Sequence, residues 1–251
     1  MGYVYGPISS RRLGSSLGVD ITPHKTCCFN CIYCQIGRTP NQTIERKEYV
    51  LMDDILVQVK EALKANAKID YIAFSGSGEP TLNSRIGEMI HEVKVMTSIP
   101  VAVLTNGALL FRKEVRDDLL EADLVIPSLD AANQEVFEKV NRPHPGLLIE
   151  GIVEGIRKFI LEFEHEVWLE VMLVKGINDG WKEMVEFASV INRIGPDRVQ
   201  LNTVVRPPCE DFAKALTEDE LRAIKDILGD KAEVIPVWRR KNPNEDVTYG
   251  G

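Results

Sequence analysis

The sequence predicts an α/β protein on a parallel sheet, a partial TIM-type (β/α)6 barrel. Two observations carry this. Short apolar runs alternate with longer amphipathic segments six times over, the pattern of strands joined by crossover helices. The 251 residues also match one such barrel, which runs to about 250. A doubly wound open sheet is the alternative from the same pattern. In either fold the loops at the carboxyl ends of the strands carry the function.

Element by element, residues 17–21 read as a strand leading into a cysteine-rich loop. Residues 53–65 read as a helix with Ile55, Leu56, Val59 and Leu63 on one face. Strand 69–75 is followed by helix 84–97, strand 100–104 by helix 111–121, and strand 124–129, with Pro127 inside it, by a short helix 133–140. A turn-rich stretch 141–146 leads to helix 147–163. Strand 167–174 precedes helix 181–194, which Gly195 and Pro196 stop. Strand 198–204 precedes helix 218–228, opened by a capping box of Thr217 and Glu220 and stopped by Gly229. Residues 232–237 form a last strand. The chain thus divides into an N-terminal extension (1–16), a barrel (17–238) and a polar C-terminal tail (239–251).

Composition narrows the function. With 44% hydrophobic and 27% charged residues the chain has the makings of a sizeable core. A net charge of −8 argues against a broad nucleic-acid-binding face. The first 50 residues depart from this balance: Arg11, Arg12, Lys25, Arg38, Arg46 and Lys47 stand against Asp20, Glu45 and Glu48. That imbalance has two readings, a locally basic entrance for an anionic substrate or chance unevenness on a solvated surface, since no dense basic run is present. No apolar segment opens the chain as a signal peptide would, and no run reaches the roughly 18 residues a membrane helix needs. The expected location is the cytoplasm, away from any membrane. Clustered cysteines there are metal ligands rather than disulfides.

Four of the five cysteines lie together at Cys27, Cys28, Cys31 and Cys34, with Cys209 remote. Cys27, Cys31 and Cys34 give C-x3-C-x2-C. One tight loop with three thiolates can hold three irons of a cubane, leaving the fourth open to a small molecule, whereas electron-transfer clusters use four cysteines. Cys28, Cys31 and Cys34 offer a second register closer to ferredoxin spacing, and structural zinc is a third option. Adjacent Cys27 and Cys28 point apart, so the first register is preferred and Cys28 reads as a non-ligating thiol.

C-x3-C-x2-C with Tyr33 just before the last cysteine resembles the signature of the radical S-adenosylmethionine (SAM) superfamily. The next strand ends in Ser75-Gly76-Ser77-Gly78-Glu79-Pro80, similar to that superfamily's Gly-Gly-Glu-Pro loop, with Ser77 where the usual form has glycine. Thr105-Asn106-Gly107 and Ser128-Leu129-Asp130 end the next two strands in similar fashion. The resemblance covers about residues 17–205. It implies a 4Fe–4S cluster on Cys27, Cys31 and Cys34, and SAM contacts at Tyr33, Gly76, Ser77, Gly78, Glu79, Asn106, Ser128 and Asp130. Residues 174–178 are expected near the adenine. The opening stretch 5–20 and Asn202-Thr-Val-Val-Arg-Pro-Pro208 resemble a narrower subfamily, grouped near the radical SAM enzymes that build the wyosine base of tRNA. The implied chemistry is reductive cleavage of SAM to a 5′-deoxyadenosyl radical. A flavodoxin or ferredoxin would donate the electron, and the substrate would be a small molecule, a tRNA base or a protein residue.

Arg11, Arg12 and Arg206 are the candidates for binding an anionic group of that substrate, because guanidinium pairs well with carboxylate and phosphate. His24 reads as a polar loop residue, and Trp168, Trp181 and Trp238 read as packing residues.

Overall fold

A computed structural model describes residues 2–65 and 68–236. The expected tail 239–251 and Trp238 lie outside the described residues. Eight strands form one sheet in sequential order: β1 (Val4–Ser10), β2 (Gly14–Val19), β3 (Tyr71–Phe74), β4 (Val101–Thr105), β5 (Leu124–Pro127), β6 (Glu166–Leu173), β7 (Arg198–Thr203) and β8 (Ala232–Val234). Every pair from β2 to β8 is parallel, and β1 pairs antiparallel with β2. A doubly wound sheet reverses its order at a switch point. No reversal occurs here, and the sheet does not close, so the architecture is the partial barrel.

The helices are α1 (Met52–Ala65), α2 (Ile86–Met96), α3 (Lys113–Asp118), α4 (Gln134–Val140), α5 (Ile149–Glu162), α6 (Trp181–Ile194) and α7 (Glu218–Leu228). Their ends follow local chemistry. Asn133 caps α4 by accepting from Val136 N, and Thr217 and Glu220 form the expected capping box on α7. Gly195 closes α6 at φ 73, a left-handed conformation that glycine adopts without strain.

Strand alternation sorts the side chains into two apolar groups. Ile72, Phe74, Val101, Val103 and Val125 point outward and pack with the helices in the main core. Burying each of these contributes about 1.5–3 kcal/mol. Ala73, Ala102, Leu124 and Ile126 point to the concave face, where Leu13 packs on them. Small residues there keep the interior open. Trp168 lines this inner group too, whereas Trp181, expected to pack, is 71% exposed on α6.

The N-terminal extension is more ordered than its sequence suggests. It supplies all of β1 and starts β2 at Gly14, so the cysteine loop follows the first parallel strand rather than the first strand of the chain. The hairpin is fastened from above and below. Tyr3 N donates to Gln58 Oε1 of α1 at 2.7 Å, and the ring of Tyr5 covers Gly18 so closely that a Cβ there would lie 2.1 Å from it. Ser10 Oγ accepts from Leu13 N at 3.1 Å, which turns the chain and sends Leu13 into the concave face. Leu13→Ala is expected to lower the unfolding free energy by about 2–5 kcal/mol, the range for truncating a buried leucine. Urea denaturation measures it. A loss under about 1 kcal/mol would show that Leu13 does not fill that face.

Candidate active site

The cysteine loop, the Gly76–Pro80 loop, Thr105–Gly107 and Ser128–Asp130 lie at the carboxyl ends of β2 to β5, while the stretches 5–20 and 202–208 fall on β1–β2 and at the end of β7. The cysteine loop follows β2 and is pinned through its backbone: Thr43 N donates to Cys27 O at 3.1 Å, Asn30 N to Asn141 O at 3.0 Å and Ile32 N to Val140 O at 3.0 Å. Cys27, Cys31 and Cys34 are half-buried, while Cys28 is fully buried in the main apolar core. Burial thus favours the first register: a thiol sealed among apolar side chains is less open to a ligand than the other three.

Each of these three sulfurs receives a hydrogen bond from a different element. Asn106 Nδ2, after β4, donates to Cys27 Sγ at 3.5 Å. Asn141 Nδ2, after α4, donates to Cys31 Sγ at 3.4 Å. Lys25 Nζ donates to Cys34 Sγ at 3.1 Å. Three N–H donors aimed at three sulfurs suit thiolates, which accept well. Burial pushes the Cys27 thiol up to about 11, with Glu79 adding to the rise, and burial also raises Cys31. Such thiols need a strong positive charge to be held ionised, and a coordinated metal ion would supply it.

The glycine-bearing loop after β3 lies against the cysteine loop. Lys25 N donates to Ser77 O and Glu79 N to Thr26 O, both at 2.9 Å. A Cβ on Gly78 would stand 2.2 Å from the Thr26 carbonyl oxygen, and one on Gly76 would stand 2.2 Å from Asp20 Cγ. Both glycines are therefore required by close approach. Ser77 is accommodated by Asp20, whose Oδ2 accepts from Ser77 N at 2.9 Å and from Ser77 Oγ at 2.6 Å.

Glu79 is buried with no cation beside it. Its Oε1 accepts from Thr81 N, Thr81 Oγ1 and Thr105 Oγ1, and its Oε2 from Asn106 N at 2.7 Å. Burial raises its pKa, and these hydrogen bonds pull against that rise. Asp130, after β5, is built in the same way. Its Oδ2 accepts from Tyr33 OH and from Asn141 Nδ2, and its Oδ1 from Met172 N at 2.9 Å. Burial lifts it to about 6 against those bonds. Asn106, Ser128, Asp130 and Asn141 share with Phe29, Phe137 and Ile152 the lining of a void of about 10 Å³, and Asn141 Oδ1 is buried without a hydrogen-bond partner. Asn178, in the stretch expected near adenine, is fully buried and donates to the Asp130 and Met172 carbonyls.

Three residues of the site had no sequence signal strong enough to single them out. Lys25 was visible only as a basic residue of the loop, yet it is buried at φ 58, a region costly for a residue with a side chain. Asn141 sits inside a turn-rich stretch. Glu170 lies mid-strand on β6 and pairs with Arg12 at 2.6 Å. Of the candidate substrate residues, Arg11 and Arg12 occupy the β1–β2 turn on the concave side, and Arg206 is exposed after β7, its Nη1 donating to Gln35 Oε1 at 2.6 Å. His24 is exposed, as a loop residue should be.

The two cysteine registers make opposite demands on iron content. After anaerobic reconstitution, Cys28→Ala is expected to keep the wild-type iron and sulfide content, while Cys27→Ala is expected to lose most of it. Equal losses in both variants would count against the register C-x3-C-x2-C.

A family model for the radical SAM superfamily matches residues 21–188. A protein of Brachyspira hyodysenteriae named GTPase Obg is 47% identical over 222 residues, which cover 88% of this chain and 33% of that protein. The chain thus spans a third of that relative's length. A UPF0026 protein of Methanocaldococcus jannaschii is 37% identical over 216 residues, 85% of this chain and 67% of that protein. Among solved structures, TYW1 with a lysine-pyruvate adduct bound aligns with a TM-score of 0.63 at 18% identity, over 85% of this chain and 72% of that one. Native anSMEcpe with bound AdoMet aligns with a TM-score of 0.61 at 18% identity, over 84% of this chain and 58% of that one. The structural likenesses establish a shared fold, and the match over residues 21–188, which takes in every loop from the cysteines to α6, goes further: the chain belongs to the radical SAM superfamily and, within it, with the UPF0026 proteins.

Proposed function

We propose that the chain is an enzyme that holds one 4Fe–4S cluster on Cys27, Cys31 and Cys34 and cleaves SAM reductively. The observation that carries this reading is the trio of half-buried sulfurs, each with its own N–H donor, beside a loop whose glycines admit no side chain. When bound, the cluster and SAM supply the hard chemistry: one electron breaks the S–C5′ bond, and the resulting 5′-deoxyadenosyl radical takes a hydrogen atom from the substrate.

The chain's own residues bind, orient and shield. Gly76, Ser77 and Gly78 offer backbone groups to the methionine end of SAM. Glu79 acts through the loop: its four hydrogen bonds fix Thr81, Thr105 and Asn106, and so fix the Asn106 amide on Cys27. Asp130 holds Tyr33 and Asn141, and so fixes the Asn141 amide on Cys31. Asn106 and Ser128, at the carboxyl ends of β4 and β5, are the proposed further contacts to SAM. The walls of the concave face keep water and stray hydrogen donors from the radical. A flavodoxin or ferredoxin is the expected electron donor and the cytoplasm the expected location. No helix among the described residues is long and apolar enough to cross a membrane.

The reconstituted protein, given SAM and dithionite, is expected to form 5′-deoxyadenosine, read by chromatography, and Cys31→Ala to abolish it. A full cluster with neither product nor a SAM-induced change in its EPR signal would overturn the reading. Lys25 adds a second test. A cation bonded to a ligand sulfur favours the reduced, more negative cluster. Lys25→Met is therefore expected to shift the midpoint potential to a more negative value, measured by EPR-monitored titration, with Lys25→Arg restoring most of it. An unchanged potential would confine Lys25 to holding the loop.

A further inference from the structure

The β1–β2 turn places an uncompensated charge on the concave face. Ser10 Oγ accepts from both Arg12 N and Leu13 N, at 3.3 and 3.1 Å, so the turn is fixed. Leu13 anchors it in the concave apolar group. The two arginines beside that anchor are thereby held in place, and they are treated differently. Arg12 has a carboxylate of its own, Glu170 of β6, at 2.6 Å. Burial pushes Glu170 up, but Arg12, Asn202 and Arg11 outweigh it and leave its pKa lowered. That pair is charge-balanced.

Arg11 is not. Its Nη2 donates to Asn202 Oδ1 of β7 at 3.1 Å and its Nη1 to the Pro236 carbonyl at 3.4 Å, both neutral acceptors. Arg206 reaches only the neutral Gln35 Oε1, in the residue that follows Cys34. Among the described residues neither has an acidic side chain within ion-pair distance, although nearly all other arginines in the structure do. The two are near enough to act on each other. Half-burial lowers the Arg11 pKa, the neighbouring Arg12 and Arg206 charges lower it further, and the Glu170 carboxylate offsets only part of this. Three guanidiniums against one carboxylate leave the patch cationic, next to the cysteine loop, on the side of the sheet that faces the proposed chemistry. Neutral acceptors use few of the five N–H donors that each guanidinium offers.

We propose that the substrate carries a compact anionic group, a phosphate ester or a carboxylate, and that Arg11 and Arg206 bind it between the β1–β2 turn and the loop after β7. This rests on the reading of the chain as an enzyme that cleaves SAM. The Arg12–Glu170 pair is the wall of the site, and Asn202, bonded to both Glu170 and Arg11, sets the direction of the Arg11 guanidinium. Guanidinium binds either anion through two parallel N–H donors.

The test titrates inorganic phosphate, and separately succinate, into the cluster-reconstituted, SAM-loaded protein by calorimetry. Saturable binding of at least one is expected. Arg206→Gln, at an exposed position that the fold does not need, and Arg11→Gln are each expected to weaken it about tenfold, a loss of roughly 1.4 kcal/mol, and Arg11→Lys is expected to recover part. Tighter binding of phosphate assigns the site to a phosphate ester, and tighter binding of succinate assigns it to a carboxylate. No binding, binding unchanged in both variants, or an equal loss of SAM affinity (which would give the arginines to the carboxylate of SAM) overturns the inference. Wild-type protein that forms 5′-deoxyadenosine but binds neither anion would sink this inference and leave the enzymatic reading standing. Anion binding without 5′-deoxyadenosine would do the reverse.

Discussion

The site depends on carboxylates buried without cations. A carboxylate taken out of water is expensive unless hydrogen bonds replace its solvation. Glu79 and Asp130 meet that demand with donors drawn from neighbouring strand ends. Glu79, on the loop after β3, takes donors from the end of β4. Asp130, after β5, takes them from β6, from the turn after α4 and from the cysteine loop. Asp20, at the end of β2, reaches the loop after β3. Successive loops are thus stitched into one rim. An open sheet has no closure to hold its strand ends together, so this stitching does what barrel closure would otherwise do.

The same stitching explains which residues touch the sulfurs. Asn106 and Asn141 each answer to a buried carboxylate on one side and to a cysteine on the other. The Asn141 amide bonds both Cys31 and Asp130 through the same Nδ2, whereas Asn106 bonds Glu79 through its backbone N–H and Cys27 through its side chain. Lys25 is fixed by other means, a left-handed backbone and a hydrogen bond to the glycine-bearing loop. Strain of that kind persists where the surroundings overdetermine it, and here it aims the cation at Cys34. Hydrogen bonds to sulfur are one of the levers on a cluster's potential. The three donors are side chains carried on three different loops.

Much of this was legible in the sequence. Alternation of apolar periods located seven parallel strands and seven helices, because buried strands and one-sided helices leave clear periodicities. Cysteine spacing and the Gly76–Pro80 loop were legible because close approach tolerates few residue types. The N-terminal extension was not read as a strand. Its apolar residues are few, and its order comes from Tyr5 over Gly18 and from Gln58, contacts between distant positions. Asn141 was hidden for a similar reason, since nothing in a turn-rich stretch marks which polar residue will be drawn inward. Trp181 erred the other way: aromatic character suggested packing, but its place at the start of α6 leaves it in solvent. Residue type there was a weaker guide than position on the helix.

What the sequence left open about charge follows from topology. Along the chain, Arg11 and Arg12 look equivalent, and Glu170 is more than 150 residues away. Only the sequential sheet order places β6 and β7 opposite the β1–β2 turn across the concave face, where one arginine finds a carboxylate and the other finds an amide. The distinction is physical. A buried ion pair carries its own counter-charge and asks for no further anion. A half-buried guanidinium among like charges is costly until an anion arrives. Arg12 is thereby the fixed wall and Arg11 the open valence, and the same turn that closes the edge of the sheet also gives the concave face its sign.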